Sequence, residues 1–425
     1  MKGNVGNDLL LSQVRRGVNF YEIVMAAKLR HVDYDLVFAH ETFCSGLAGL
    51  YVAQNFRNAI KILDIVEYPA FDQRTSVNVR NAGLINPVST ELTTSFAVNI
   101  ANRYDFVYAT SNGQRNIMAA NGCIVQIDLL RNCREYQKVA SNSYLSDRFA
   151  FSEQDIIILF SNRAYEYCGL ELAIEGLADL DKRYKLVVLG DVVPVLKSKA
   201  EDLAKRLNVQ DRYFVTGMLD PSLVLPVIAG ADVVLALIEP KIDNHRWAMP
   251  NRIFDAIMAR VPVLVMNDTE LAGFVKQHNI GKIVSSSTKN AYLAALEELF
   301  NEAELLRENL KMAAREFCWE EEKSVLQNNL SNFQGSSPKC LFLANKDIGR
   351  NDRVRRLLKT ICNTGYETDV VTQYYPMESM RVDGVNYHAF REGQGNIEKM
   401  VKATQKKNTY LRRMFLLIRN SYQKL

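Results

Sequence analysis

The chain has 425 residues, 48% of them hydrophobic, with 52 Lys and Arg against 48 Asp and Glu and a formal net charge of +4. That length and apolar content suit two domains with cores of their own, and so even a charge balance argues against a dedicated nucleic-acid binder. Seven scattered cysteines include no Cys-x-x-Cys pair and no His at metal spacing, so they read as reduced thiols. No apolar run reaches the ~18 residues of a membrane-spanning helix, and the start MKGNVGNDLL has no signal-peptide core, so a cytoplasmic location is expected.

In chain order, YDLVFA (34–39), IKILDIV (60–66) and DFVYAT (105–110) are short apolar runs separated by helical patterns, as in parallel sheets with crossover helices. His40 and Glu41 close the first run, and Asp64 and Glu67 close the second, at the strand ends where such sheets bind ligands. The polar stretch 76–94 predicts a loop with one short helix. After Asn132, CREYQKVASNSYLSDRFAFSEQ has no period and reads as an interdomain linker.

A second series of strands and helices opens with DIIILFSN and runs to Phe333; within it, PNRIFDAIMARVPVLV (250–265) is the most informative run. Pro250 suits the first position of a helix, Asn251 and Arg252 fall in its first turn, Asp255 lies one turn in, and Ile253, Phe254, Ile257 and Met258 form an apolar face. The N–H groups and positive dipole end of such a helix attract phosphates, with Arg252 adding charge and Asp255 able to accept from a ribose hydroxyl. An ordinary amphipathic helix feeding a core strand fits the same residues.

GSSPK (335–339) marks the next boundary, and CLFLANKDIGRNDRVRRLLKTICNTGYETDVVTQ reads as the opening βαβ unit of a Rossmann-like domain. An isolated unit of that kind leaves apolar faces and strand edges open, so strand 340–344 is expected in one sheet with strand 34–39. The last segment, 399–425, is a basic amphipathic pattern that fits either an anionic membrane surface or a core-packed helix with a solvated basic face.

The run at 250–265 resembles the Pro-Asn-Lys-x-Phe-Glu-x-x-x-x-Gly-x-Pro-Val segment of the retaining glycosyltransferases of family 4. KLVVLGD (185–191), RYFVTGMLD (212–220), AGADVVLALIEP (229–240), the Asn267-Asp268 and Glu270-Leu271 loop with HNIGKIV, and Phe317-Cys318-Trp319-Glu320 are similar to that family's segments in order and spacing. The resemblance, which spans roughly 155–330, implies an α/β chain of the GT-B fold: two Rossmann-like parallel-sheet domains facing a cleft. Residues 155–333 would form the donor-nucleotide domain, and residues 1–135 resemble the second part of the family's N-terminal acceptor domain. The unit at 338–425 resembles that domain's opening, which the family places first. This order implies either a circular permutation, with 338–425 completing the sheet begun by 1–135, or a fragment of a tandem protein.

For function, the resemblance implies transfer of a sugar from a UDP- or GDP-linked nucleotide sugar to a glycan or lipid-linked acceptor, with retention and with neither metal nor other cofactor. Peripheral contact with the inner face of the membrane would follow if the basic segment lies on it. Arg163 and Arg252 would stabilise the departing diphosphate, and Glu67 and His40 would face the cleft from the acceptor side. Asp255, Asn251 and Asn244 would contact the donor, and Gly217 and Met218 would hold the base through the backbone. Three departures stand out: Cys168 where the family has Lys, Trp247 at the first of a spaced pair of Glu, and Val66 where relatives often carry His. They favour a rival reading, a catalytically weak or inactive GT-B module that binds a nucleotide or acts as a scaffold. A sugar-nucleotide epimerase of the same shape is a third.

Overall fold

The computed structural model describes residues 23–24, 32–56, 58–66, 90–161, 167–241, 243–331, 337–344, 348, 351–374, 376, 378 and 381–389. Arg163, Glu67 and the basic segment 399–425 lie outside the described residues.

The apolar runs become strands β1 (Leu36–His40), β2 (Ile60–Ile65), β3 (Phe106–Ala109), β4 (Ile127–Leu129), β5 (Ile156–Ser161), β6 (Tyr184–Leu189), β7 (Tyr213–Val215), β8 (Val233–Ala236), β9 (Val263–Met266), β10 (Gly281–Val284), β11 (Lys339–Ala344), β12 (Glu367–Thr372) and β13 (Val385–Ala389). They build two sheets, ordered β13-β12-β11-β1-β2-β3-β4 and β10-β9-β8-β5-β6-β7, and every ladder within them is parallel. Near-continuous Val, Ile and Leu is what strands covered by helices on both faces require. Gly281 lets β10 and β9 approach, since a Cβ there would lie 2.0 Å from the Val263 carbonyl oxygen.

Each sheet has one place where strand order reverses, between β11 and β1 in the first and between β5 and β8 in the second. Counted from β11 and from β5, both follow the doubly wound order 3-2-1-4-5-6, with β4 added to the first. The second sheet uses one continuous stretch of chain. The first joins two distant stretches, with Leu36–His40 in register beside Cys340–Ala344.

The stretch read as an interdomain linker contains a short helix, Tyr144–Phe149. Phe149, Phe151 and Phe214, all half-buried, pack there with ring centroids 4.9 to 5.5 Å apart, and this aromatic packing orders a segment whose sequence shows no strong period. The chain returns to the first domain through the helix Trp319–Ser331. Its Trp319, Leu326 and Leu330 share an apolar cluster with Phe342, Leu357 and Ile361, and Trp319 Nε1 donates to Thr360 Oγ1 at 3.1 Å. Among the described residues no helix is long and apolar enough to cross a membrane.

Candidate functional site

The helix Asn251–Ala259 starts one residue later than the sequence predicted, with Pro250 as the extended residue before it. Arg252 is buried, its guanidinium 5.5 Å from the Phe160 ring at the end of β5. Asn251 and Asp255, the two residues of this helix expected to contact the donor, are each held by a side chain from residues 132–134. Asn132 Nδ2 donates to Asn251 Oδ1 and Arg134 Nε donates to Asp255 Oδ1, each at 2.5 Å.

Asn132 and Arg134 are tied in turn to the first domain. Arg134 donates to Asp352 and Asn132 accepts from Arg356 at 2.5 Å, so two polar links run from the start of this helix to the helix Asp352–Asn363. Burial pushes the Arg134 guanidinium pKa down, but Asp255 and Asp352 together hold it above its ordinary value.

A second contact crosses the boundary at the helix Asn112–Ala120. The backbone N–H groups of Asn112 and Gly113 donate to the two carboxylate oxygens of Glu270 at 2.7 and 2.6 Å. Glu270 opens the helix Glu270–His278, where the sequence suggested a loop. Burial raises its carboxyl pKa above the ordinary value, against the opposing pull of the two donors at a helix N-terminus. Trp247 closes on the same spot: a Cβ on Gly113 would lie 2.6 Å from Glu270 Oε2 and 2.7 Å from Trp247 Cβ.

In the first domain His40 ends β1 and is buried, with Nδ1 2.7 Å from Asp64 Oδ2 near the end of β2. Arg353, in the first turn of the helix Asp352–Asn363, donates to both oxygens of Asp64. Burial pushes the Asp64 carboxyl up, yet Arg353 and His40 hold it far below the usual carboxylate range. Glu41 turns back from the strand end with φ +88° and accepts from the N–H groups of Phe43 and Cys44 at 2.9 and 3.1 Å, so it caps the following helix.

On the rim of the second sheet Gly217 has φ +68° and bridges Gly190, a turn that suits glycine, and Met218 is exposed. Asn244 lies in the helical turn Asp243–Trp247, and its side chain is outside the described residues. Cys168 is wholly buried in the apolar cluster of the second sheet, so its thiol points into the core.

The structure thus gathers Asn251, Arg252 and Asp255 at one helix start on the domain boundary, with His40 at the end of a strand in the other domain. Sequence reasoning missed Asn132, Arg134 and Arg353. Nothing local marks the first two, since their partners lie far off in the chain. Arg353 carried a signal: it precedes Leu357 and Ile361 by four and eight residues, on the apolar face of its helix.

Residues 144–317, the bulk of the second domain, match the family model of glycosyl transferases group 1. The chain resembles HepE of Anabaena in complex with UDP, with a TM-score of 0.59 and 14% identity over 76% of this chain and 82% of that one. The fold is GT-B. Sucrose-phosphate synthase from Thermosynechococcus elongatus resembles this GT-B chain with a TM-score of 0.59 and 18% identity, over 73% of this chain and 76% of its own. A glycosyltransferase from Rickettsia africae does so with a TM-score of 0.53 and 18% identity, over 75% and 80%. A search of curated proteins finds no match to the chain. The group 1 match supports a glycosyltransferase.

Proposed function

We propose that the chain transfers a sugar from a nucleotide-sugar donor to a glycan or lipid-linked acceptor, with retention and without a metal, the donor binding between the two domains. One observation carries the reading: Asn251, Arg252 and Asp255 open a single helix at the domain boundary, inside the stretch that matches the glycosyl transferases group 1 model. A helix start with a buried arginine favours a diphosphate, and Asp255 is the carboxylate for the ribose. The likeness to HepE holding UDP supports a uridine nucleotide, and GDP is the alternative base. In this reading Arg163 acts with Arg252 on the leaving diphosphate, and His40 and Glu67 serve the sugar. Asn244, Gly217 and Met218 complete the donor side.

The test is turnover of a panel of sugar nucleotides by the parent and by Arg252→Ala. Groups that act on charge developing in the transition state contribute strongly to kcat, so the variant should lose about 100-fold or more. NMR of the product's anomeric centre tests retention, and an unchanged rate in EDTA tests independence from metal.

A second reading, a nucleotide-binding or scaffold module with little catalysis, draws on the close fit of Trp247 and Glu270 against Gly113, which fills part of the boundary. It predicts nucleotide binding without turnover of any donor.

A further inference from the structure

His40, Asp64 and Arg353 are 2%, 0% and 1% exposed and meet at one point. They come from the carboxyl ends of β1 and β2 and from the first turn of the helix after β11, so they surround the place where the first sheet reverses its strand order. Arg353 Nε and Nη2 donate to Asp64 at 3.0 and 2.5 Å, and His40 Nδ1 shares Oδ2 at 2.7 Å. A buried ion pair gains little over apolar residues of equal volume, so stability is a poor account of charges kept here. Orientation is a better one. A carboxylate paired with Arg353 only accepts, so Nδ1 of a neutral His40 must carry the proton and the ring's lone pair lies on Nε2. The Phe342 ring stacks on the imidazole with centroids 6.2 Å apart, and Asp64 holds its Nδ1 edge.

We propose, on the nucleotide-sugar reading given above, that Asp64 and Arg353 are positioning residues that fix His40 in the Nδ1–H tautomer so that Nε2 accepts a hydrogen bond from a hydroxyl of the donor's sugar. His40 makes and breaks no bond in this role. The recognised chemistry is a sugar hydroxyl at the carboxyl edge of the first sheet, and the nucleotide part of the donor is held by the other domain.

The test is 15N NMR of the full chain with labelled histidine, the His40 signals assigned by their loss in His40→Gln. The protein is titrated with UDP, GDP, UDP-glucose, UDP-N-acetylglucosamine and GDP-mannose. The expected result is a protonated Nδ1 and an unprotonated Nε2, with Nε2 shifting on addition of the tightest-binding sugar nucleotide and not with its parent nucleotide. Asp64→Asn alone strands a buried guanidinium and risks unfolding, so the variant to use is Asp64→Asn with Arg353→Met, which removes both charges. There the tautomer should become mixed, and the preference for sugar nucleotide over bare nucleotide should fall about tenfold, a loss of ~1.4 kcal/mol. A proton on Nε2 in the parent, or an Nε2 signal that ignores a bound sugar nucleotide, would overturn the positioning role while the nucleotide reading stands. If no nucleotide or sugar nucleotide binds, both fall together.

Discussion

The two sheets share one strand order and differ in how their carboxyl edges are held. In the second domain the site helix carries Arg252 over an aromatic ring and Asp255 joined through Arg134 to Asp352. In the first domain the edge is a closed network in which Asp64 and Arg353, 289 residues apart in the chain, bind each other directly. The difference teaches that packing at the strand-order reversal, more than chain order, sets this architecture. One sheet folds from contiguous chain, whereas the other joins distant segments, with a charged clasp across the seam and the loop-closure entropy that such a junction implies.

Breaking the clasp should therefore give the largest effect. Arg353→Met alone leaves Asp64 buried without its cation and should cost about 3 to 5 kcal/mol in urea unfolding. Adding Asp64→Asn should restore most of that loss, a strongly non-additive cycle. An additive pair would mean that the clasp is not one unit.

Next in size is Gly113→Ala, whose new methyl group meets Trp247 and Glu270 at 2.6 to 2.8 Å. Overpacking there should cost about 1 to 3 kcal/mol and open the domain boundary, seen as a larger radius of gyration in X-ray scattering. An unchanged radius would show that this contact does not set the spacing of the domains.

Acid offers a further contrast. The carboxyl pKa of Asp64 is depressed in the folded chain, so its contribution to stability is complete above the ordinary carboxylate range and is lost as pH falls through that range toward the folded value. The parent should lose stability steeply on acidification, and the Asp64→Asn, Arg353→Met pair should show a shallower slope in pH-dependent thermal melts. The smallest effect belongs to the exposed pair Lys61 and Asp105, 2.7 Å apart. Lys61→Met should change stability by less than ~1 kcal/mol, and any larger change would contradict the weight given to burial.

Much of this was legible in the sequence. Strands rich in Val, Ile and Leu declared themselves, because burial on both faces leaves composition little freedom, and the unit after Gly335 read as βαβ from its own turn and helix signals. The start of the site helix was legible, to within one residue, from Pro250 and Asn251 with Asp255 one turn on. What stayed hidden was pairing at a distance. Arg134 sits in an aperiodic linker and finds Asp255 and Asp352 only once the domains meet. Glu270 looked like part of an acidic loop until the helix Asn112–Ala120 brought its N–H groups to it. The order within Tyr144–Phe149 likewise came from aromatic packing, which has no local signature.

The central claim is that a nucleotide diphosphate binds at the start of the helix Asn251–Ala259, and Asp255→Ala tests it most directly. The variant leaves Arg134 its second partner, Asp352, so the fold should hold. Calorimetric titration with UDP and GDP should then show affinity about tenfold weaker or more for the nucleotide that the parent binds, the loss expected of a charge-assisted hydrogen bond. The same affinity in parent and variant, with both folded, would contradict the account.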